Sequence, residues 1–514
     1  MAWTAHGRCS ITSAMTLSLG ARALSGFKWA GLSAAANLLF QLGFTAALAR
    51  LLKPADFGLI AMAMIALRLF SFFSQLGLGA ALVQKEHLDA QDVRCALGLT
   101  WLTCLPAAAG VALSAPALGY FFRDDAVVPL VRVLSLNLLL VGLGTVSMAL
   151  LRRALRYRAL AVVETASYAL GYGVVGVVAA WSGAGVWTLV ATTFAQSALS
   201  LVGAWALTRH TLRPSLRGDR SALLGYGARY SAVGFLEFLS ASVDAALVGR
   251  LMGGTTLGVY NRAAMLTHQP VVHAGGVMVR VLFPLLSTVQ QDLRKTGGVL
   301  LLGMSIIGVL GGAVSFGVSA AAGDVVRVLL GPTWSDAAPV VQVLALSTPL
   351  LLMAQVCSVV CDALALLRFK LVTQCLHLAV LGALIFALYH SGLRGIAWAV
   401  VGAEVLRFGL YLAFLMRRLD CGRADVGRVL AGVGLTAGLA YGACSLATAG
   451  SARWAFGPAA ALGLAILAGL VALGLGTVTS LRLLAGTEPA RFADASVPGW
   501  QRLRTRLGLG PAGA

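Results

Sequence analysis

From Gly26 to Leu481 the chain repeats one pattern, about 20–27 apolar residues and then a short polar link, and about 20 apolar residues suffice for an α-helix to cross a bilayer. Such runs number about fourteen. They fall near residues 27–50, 57–82, 96–121, 127–150, 160–181, 184–207, 223–252, 257–286, 298–322, 337–365, 371–390, 394–416, 428–449 and 456–480. No link between them is long enough to fold as a soluble domain. Only 11% of the 514 residues are charged, and most of that charge sits in the links. The expected fold class is an all-α polytopic membrane protein, whose work is done in or across a bilayer.

A net charge of +20 would suggest nucleic acid in a soluble chain. Here the charge has a simpler origin, because cytoplasmic loops of membrane proteins collect Lys and Arg. Every second link is basic: Arg152, Arg153, Arg156 and Arg158; Arg209, Arg213, Arg217 and Arg220; Arg294 and Lys295; Arg368 and Lys370; Arg417, Arg418, Arg423 and Arg428. The alternate links, such as Ser182–Gly183, are short and nearly uncharged. This pattern places both termini in the cytoplasm and predicts membrane lipids, not nucleic acid, as the surroundings. Cys357 and Cys361 lie one helical turn apart, and no nearby His or carboxylate completes a metal set, so they read as packing residues and no metal site is expected.

The chain also resembles itself at a shift of about 200–210 residues. AALARLLKPADFGLI from Ala46 matches ALVGRLMGGTTLGVY from Ala246, and PLVRVLSL from Pro129 matches PVVQVLAL from Pro339. Gly185 before Trp187 corresponds to Gly395 before Trp398. Each repeat holds an even number of spans, six, so the halves share an orientation and an axis along the membrane normal, a transporter architecture. The expected organisation is a cytoplasmic segment 1–26, an N-lobe 27–208 and a basic linker 209–229. A C-lobe 230–416, a loop 417–427, two further helices in 428–480 and a basic tail 481–514 follow.

Charges in mid-membrane cost roughly 2.5–3.5 kcal/mol each on insertion scales and so need a reason. Arg68 lies in the second run, Glu237 and Asp244 share one face of the seventh, and Glu404 and Arg407 sit one turn apart in the twelfth. Arg50, Arg250 and Arg262 lie nearer span ends. Glu404 and Arg407 suit an ion pair, and Arg50 and Arg250 are long enough to snorkel to an interface. Arg68 and the Glu237/Asp244 pair lack a local counter-charge and suit a wet cavity. Guanidinium groups there fit an anionic, phosphate-bearing ligand, and Glu237 and Asp244 are candidates for coupling to H⁺ or Na⁺. No phosphate-binding loop, zinc-spaced histidine pair or nucleophile set is present, so the chain reads as a non-enzyme without a cofactor.

Several stretches carry a further resemblance. SGFKWAGL (Ser25–Leu32), LARLLKPADFGL (Leu48–Leu59), LGLGAALVQKE (Leu76–Glu86), MALLRRALRYRALAVVET (Met148–Thr165), RVLFPLLSTVQQD (Arg280–Asp292) and LLGPTWSDAAPVVQVL (Leu329–Leu344) follow one another in family order. Together they resemble the Wzx-like polysaccharide-flippase family of the MATE/oligosaccharidyl-lipid/polysaccharide exporter superfamily, in its colanic-acid, succinoglycan and xanthan branch. The resemblance implies two six-helix lobes around a cavity, with two C-terminal helices added. It implies as substrate an undecaprenyl-pyrophosphate-linked oligosaccharide, turned from the cytoplasmic to the periplasmic leaflet of the bacterial inner membrane. Polysaccharide polymerase or export machinery would be its partner. Carried over residue by residue, it assigns the anionic head group to Arg50, Arg68, Arg250 and Arg262, and the family's helix-7 aspartate falls on Asp244 in DAALVGR. A MATE-type cation/drug antiporter, a lipid II flippase and a membrane glycosyltransferase or polymerase stand as rivals. The first run, Phe27–Arg50, has no acidic residue to hold a drug cation, and no external link is long enough for transferase chemistry.

Overall fold

A computed structural model describes residues 36–75, 78–85, 88–211, 213–216, 239–240, 242–289, 291–419, 421–454 and 457–484. Glu237, the N-terminal segment, most of the basic linker and the tail lie outside these residues. Among the described residues all regular structure is helical. Among the described residues ten helical stretches are long and apolar enough to cross a membrane, one of them, Leu367–Arg418, being two helices joined by a tight turn. The chain divides into two compact units, Met1–Leu239 and Ser240–Ala514.

The first unit begins with α1 (Ala36–Leu51), α2 (Pro54–Gln75) and α3 (Leu78–Gln84). α4 (Ala90–Phe122), α5 (Val127–Ser135) and α6 (Asn137–Arg153) follow. The fifth apolar run is α7 (Tyr157–Tyr168), a π-helical segment Ala169–Gly176 and α8 (Val177–Trp181), and α9 (Val186–Thr208) ends the unit. The run expected over 57–82 is helical on both sides of residues 76–77, which lie outside the described residues. α3 packs on α6, and Leu82, Ala96, Val146 and Ala149 are buried together there. A latch of polar contacts closes this end. Asp89 and Asp92 form a reciprocal capping box at the start of α4, and Lys85 Nζ lies 2.5 Å from Asp92 Oδ1. Arg153 donates to the carbonyls of Leu82, Val83 and Lys85. Asp89→Ala is expected to cost about 1 kcal/mol, the usual value of a lost N-cap, read as a lower thermal unfolding temperature of the purified protein.

The second unit holds α10 (242–252), α11 (Gly254–Val289), α12 (Leu293–Ala320) and α13 (Ala322–Leu329). It continues through α14 (Ala338–Ala363), α15 (Leu367–Leu388), α16 (Gly392–Arg418), α17 (Arg423–Arg453) and α18 (Pro458–Leu484). α14 packs on α11, α12 and α16, and α17 and α18 pack on each other and on α12. Small residues permit that close approach. A methyl on Gly476 would strike the Thr436 side chain, and Thr436 and Ser480 hydroxyls meet at 3.1 Å between α17 and α18.

The internal repeat is visible in the backbone. α1 breaks at Leu52 and Lys53 before Pro54, and α10 breaks at Gly253 (φ 85°) before Gly254. At the α6–α7 turn Leu155 takes φ 53°, with hydrogen bonds from Ala154, Leu155 and Arg156 N–H to the carbonyls of Leu150, Arg152 and Leu151. About 210 positions later the α14–α15 turn repeats this, with Ala365 at φ 55° and Leu364, Ala365 and Leu366 N–H bonding Val360, Asp362 and Cys361. A non-glycine residue in the left-handed region is uncommon. Two of them, in one turn type, at equivalent places, mark a duplicated hairpin. Large apolar side chains point outward along both units, among them Leu113, Leu446, Trp181 and Trp454. The two tryptophans stand at or just beyond helix ends, where amphipathic rings suit the lipid–water interface.

Candidate functional site

The second unit buries a cluster of charge in the middle of its helices. α15 and α16 form a hairpin, turned by Tyr389–Ser391 and by Gly392 at φ 72°. The hairpin brings His377 of α15 against Glu404 of α16, and both are almost wholly buried (3% and 5% exposed). Arg407, one turn on from Glu404, places Nη2 2.6 Å from Glu404 Oε2. His377 Nε2 lies 3.4 Å from Glu404 Oε1. These are close ionic contacts without hydrogen-bond alignment, for both His377 ring nitrogens, Glu404 Oε2 and Arg407 Nε are buried and make no hydrogen bond.

A second polar pair lies on α10 and α11. Asp244 Oδ2 accepts from the Tyr260 hydroxyl at 2.6 Å, and Oδ1 accepts from the Ala245 N–H at 2.8 Å. Tyr260 is fully buried. Two turns along α11, His268 shares the Tyr260 face and feels the charges of Asp244, Glu404 and Arg407. Its Nε2 is buried without a hydrogen bond. Five titratable or charged side chains on four helices therefore form one electrostatic group: Asp244, His268, His377, Glu404 and Arg407.

The other sequence-derived residues are placed separately. Arg250 is half-buried on α10, and Arg262 of α11 directs Nη1 to Met265 Sδ at 3.3 Å. In the first unit Arg50 is exposed at the end of α1, and Arg68 is exposed on α2. The first unit offers different chemistry. Between α6 and α9 a polar cavity of about 310 Å³ is lined by Thr145, Arg152, Gln196, Ser197 and Ser200. Along α1 and α7, Phe40, Phe44, Tyr168 and Tyr172 stack in series at ring spacings of 5.7, 6.2 and 4.6 Å. The last of these rings sits on the π-helical segment, where Gly173 lets the Phe44 ring approach the backbone.

Sequence reasoning missed His377 and Tyr260. The rule that flagged Glu404, a polar group in mid-span needing a reason, applies equally to His377 and would have found it. Tyr260 gave no such signal, because a tyrosine near a span end is unremarkable until Asp244 is placed beside it. Among the described residues no group of three His, Cys, Asp or Glu side chains is arranged to hold a metal ion.

Two repeated helical units with titratable groups buried inside one of them define a multi-pass membrane protein of transporter-like architecture. Solved structures share that fold. Lipid II flippase MurJ in an inward closed conformation superposes with a TM-score of 0.67 over 88% of this chain and 99% of that one, at 11% identity. An inward-facing multidrug resistance MATE family transporter of the MOP superfamily gives 0.61 over 75% and 94%, at 16% identity. Residues 47–339 match the family model described as "Polysaccharide biosynthesis protein", and the chain belongs to that family. Among its relatives, succinoglycan biosynthesis transport protein ExoT of Rhizobium meliloti (strain 1021) is 30% identical over 311 residues, 59% of this chain and 62% of that protein. Lipopolysaccharide biosynthesis protein WzxC of Escherichia coli (strain K12) is 22% identical over 339 residues, 64% of this chain and 67% of that one. The chain thus spans somewhat under two thirds of the first relative's length.

Proposed function

We propose that this protein is a flippase. It carries an undecaprenyl-pyrophosphate-linked oligosaccharide repeat unit from the cytoplasmic to the periplasmic leaflet of the inner membrane, for exopolysaccharide or lipopolysaccharide assembly. The observation that carries the reading is the family match over 47–339 on a duplicated two-unit fold. The mechanism is alternating access of the two lobes, with the polar head group passing inside and the lipid tail remaining in the bilayer. Both termini lie in the cytoplasm, as the basic links require. Arg50, Arg68, Arg250 and Arg262 supply cationic contacts for the pyrophosphate, and no covalent chemistry on the substrate is needed. Cation/drug antiport and lipid II flipping fit the same fold, but the family match favours the polysaccharide precursor over both.

Deletion of the gene is the test. Secreted or surface polysaccharide is expected to disappear while intact lipid-linked repeat units accumulate on the cytoplasmic leaflet, and the wild-type gene should reverse both. Unchanged polymer with no accumulated intermediate would overturn the reading and direct attention to cation efflux.

A further inference from the structure

We propose that a groove between the start of α4 and residues 213–216 of the basic linker binds one anionic phospholipid of the cytoplasmic leaflet. Its phosphate meets Arg94 and Arg213, and one acyl chain lies along α4. Lipid binding here is independent of what the protein transports.

The linker segment is seated on α4 by specific contacts. α9 ends at Arg209, which takes the left-handed conformation (φ 46°), and six residues later the chain reaches the first turns of α4. The Ser215 N–H donates to the Arg94 carbonyl at 3.0 Å, and Gln91 Nε2 donates to Ser215 Oγ at 3.1 Å. Gly98 is the notch for this crossing. A Cβ there would strike the Ser215 carbonyl and press on Leu216. Only a residue without a Cβ lets a backbone pass a helix so closely.

The crossing leaves a groove of about 450 Å³, within the usual range for a ligand site. Trp101, Leu102, Leu105 and Pro106 form its helix wall, and Pro214 and Leu216 its linker wall. From Gly98 to Pro106 it follows α4 for about 12 Å, most of the ~15 Å of hydrocarbon in one leaflet. The walls are apolar and open to the surroundings, with Leu102 57%, Leu105 50% and Leu216 42% exposed.

The mouth is cationic. Arg94, Arg209 and Arg213 are exposed, and none of their side chains forms an ion pair among the described residues. The seating of Ser215 on the Arg94 carbonyl brings Arg213, two residues earlier, to the same end of α4. The acids at this end are already engaged: Asp92 faces Lys85, and Asp89 caps α4. Guanidinium at the interface followed by an apolar trough of leaflet depth is the polarity of an anionic phospholipid. Guanidinium holds phosphate oxygens bidentately, and basic pockets on the cytoplasmic side of membrane helices suit anionic head groups. A zwitterionic lipid would fill the trough but bring an ammonium group to the arginines. A soluble phosphate would meet the arginines and leave the apolar walls bare. A membrane-spanning partner helix packs over about 30 Å, more than twice the length of this groove. A lipid that touches both walls fastens the linker segment to α4.

The test uses the full chain in detergent micelles, titrated with phosphatidylglycerol or phosphatidylcholine and read by native mass spectrometry. Phosphatidylglycerol is expected to occupy one site per chain about tenfold more tightly than phosphatidylcholine, the preference two guanidinium contacts supply. Each guanidinium removed should weaken it about fivefold, so Arg94→Gln with Arg213→Gln loses about 25-fold. Arg417→Gln with Arg418→Gln, exposed at the end of α16, removes the same charge elsewhere and should bind normally. Leu105→Trp fills the trough and should abolish the tight site, whereas Leu113→Trp, exposed on α4 beyond the groove, should not. Hydrogen exchange at the Ser215 amide reads the same event: phosphatidylglycerol should slow it in the wild type and leave it unchanged in the Arg94/Arg213 variant. Equal affinity for the two lipids, equal losses in the two arginine pairs, or wild-type binding by Leu105→Trp overturns the proposal. So does a dimer that Leu105→Trp dissociates with lipid binding unchanged, which gives the groove to a second copy of the chain. Should Leu105→Trp not fold, the arginine pairs and the Ser215 exchange decide.

Discussion

Glu404→Leu is expected to destabilise the protein by about 3 kcal/mol, the low end of the range for removing one member of a buried ion pair. The loss arises from Arg407, not from the missing carboxylate. Its guanidinium Nη2 sits 2.6 Å from Glu404 Oε2, and its side chain is only 17% exposed, so removing the carboxylate leaves a largely buried cation without that counter-charge. Partial exposure keeps the figure at the low end. Removing both charges should be far milder: Glu404→Met with Arg407→Met replaces the pair by apolar volume of similar length, which is often neutral or better. Thermal unfolding of the purified protein in one detergent reads both, and the double-mutant cycle isolates the pair. If the single and double variants unfold at the same temperature, the pair has no structural weight.

Much of this organisation is legible in the one-dimensional pattern, and the physical reasons are plain. A bilayer spanned by helices forces apolar runs of fixed length, so the helices follow from counting. Duplication leaves its trace where geometry is least forgiving: Leu155 and Ala365 carry the same left-handed turn, yet their side chains differ. Glu404 and Arg407 were readable as a pair because i,i+3 spacing on a helix is local information. His377 was not readable with them, since its nearness to Glu404 depends on the α15–α16 turn placing two helices in register. Asp244 shows the same limit. Sequence pairs it only with Glu237 on one face of an apolar run, and the structure gives it Tyr260, sixteen positions away across the break at Gly253.

Gly395→Ala is expected to be the most damaging one-carbon change in the second unit. The backbone at Gly395 passes so close to the end of α15 that an added Cβ would lie well inside van der Waals contact distance of the Leu388 carbonyl oxygen, and it would also press on Ser391. Both obstacles belong to the hairpin turn itself, and a backbone oxygen cannot rotate aside as a flexible side chain can. The start of α16 must therefore move relative to α15, at a cost of about 2–3 kcal/mol, as for overpacking a tight core. That movement acts on the charge cluster, because this turn sets the register that holds His377 beside Glu404. Gly382→Ala supplies the control. It lies on α15 with no atom within 4 Å of the added methyl, so it should be neutral or gain up to about 1 kcal/mol from helix propensity. Unfolding temperature and polymer export measured on both variants decide the matter. A Gly395→Ala protein as stable and as active as Gly382→Ala would mean that the hairpin register is not what positions the buried cluster. Loss in Gly395→Ala alone would tie the turn at Gly392–Gly395, far along the helices from His377 and Glu404, to the chemistry at their centre.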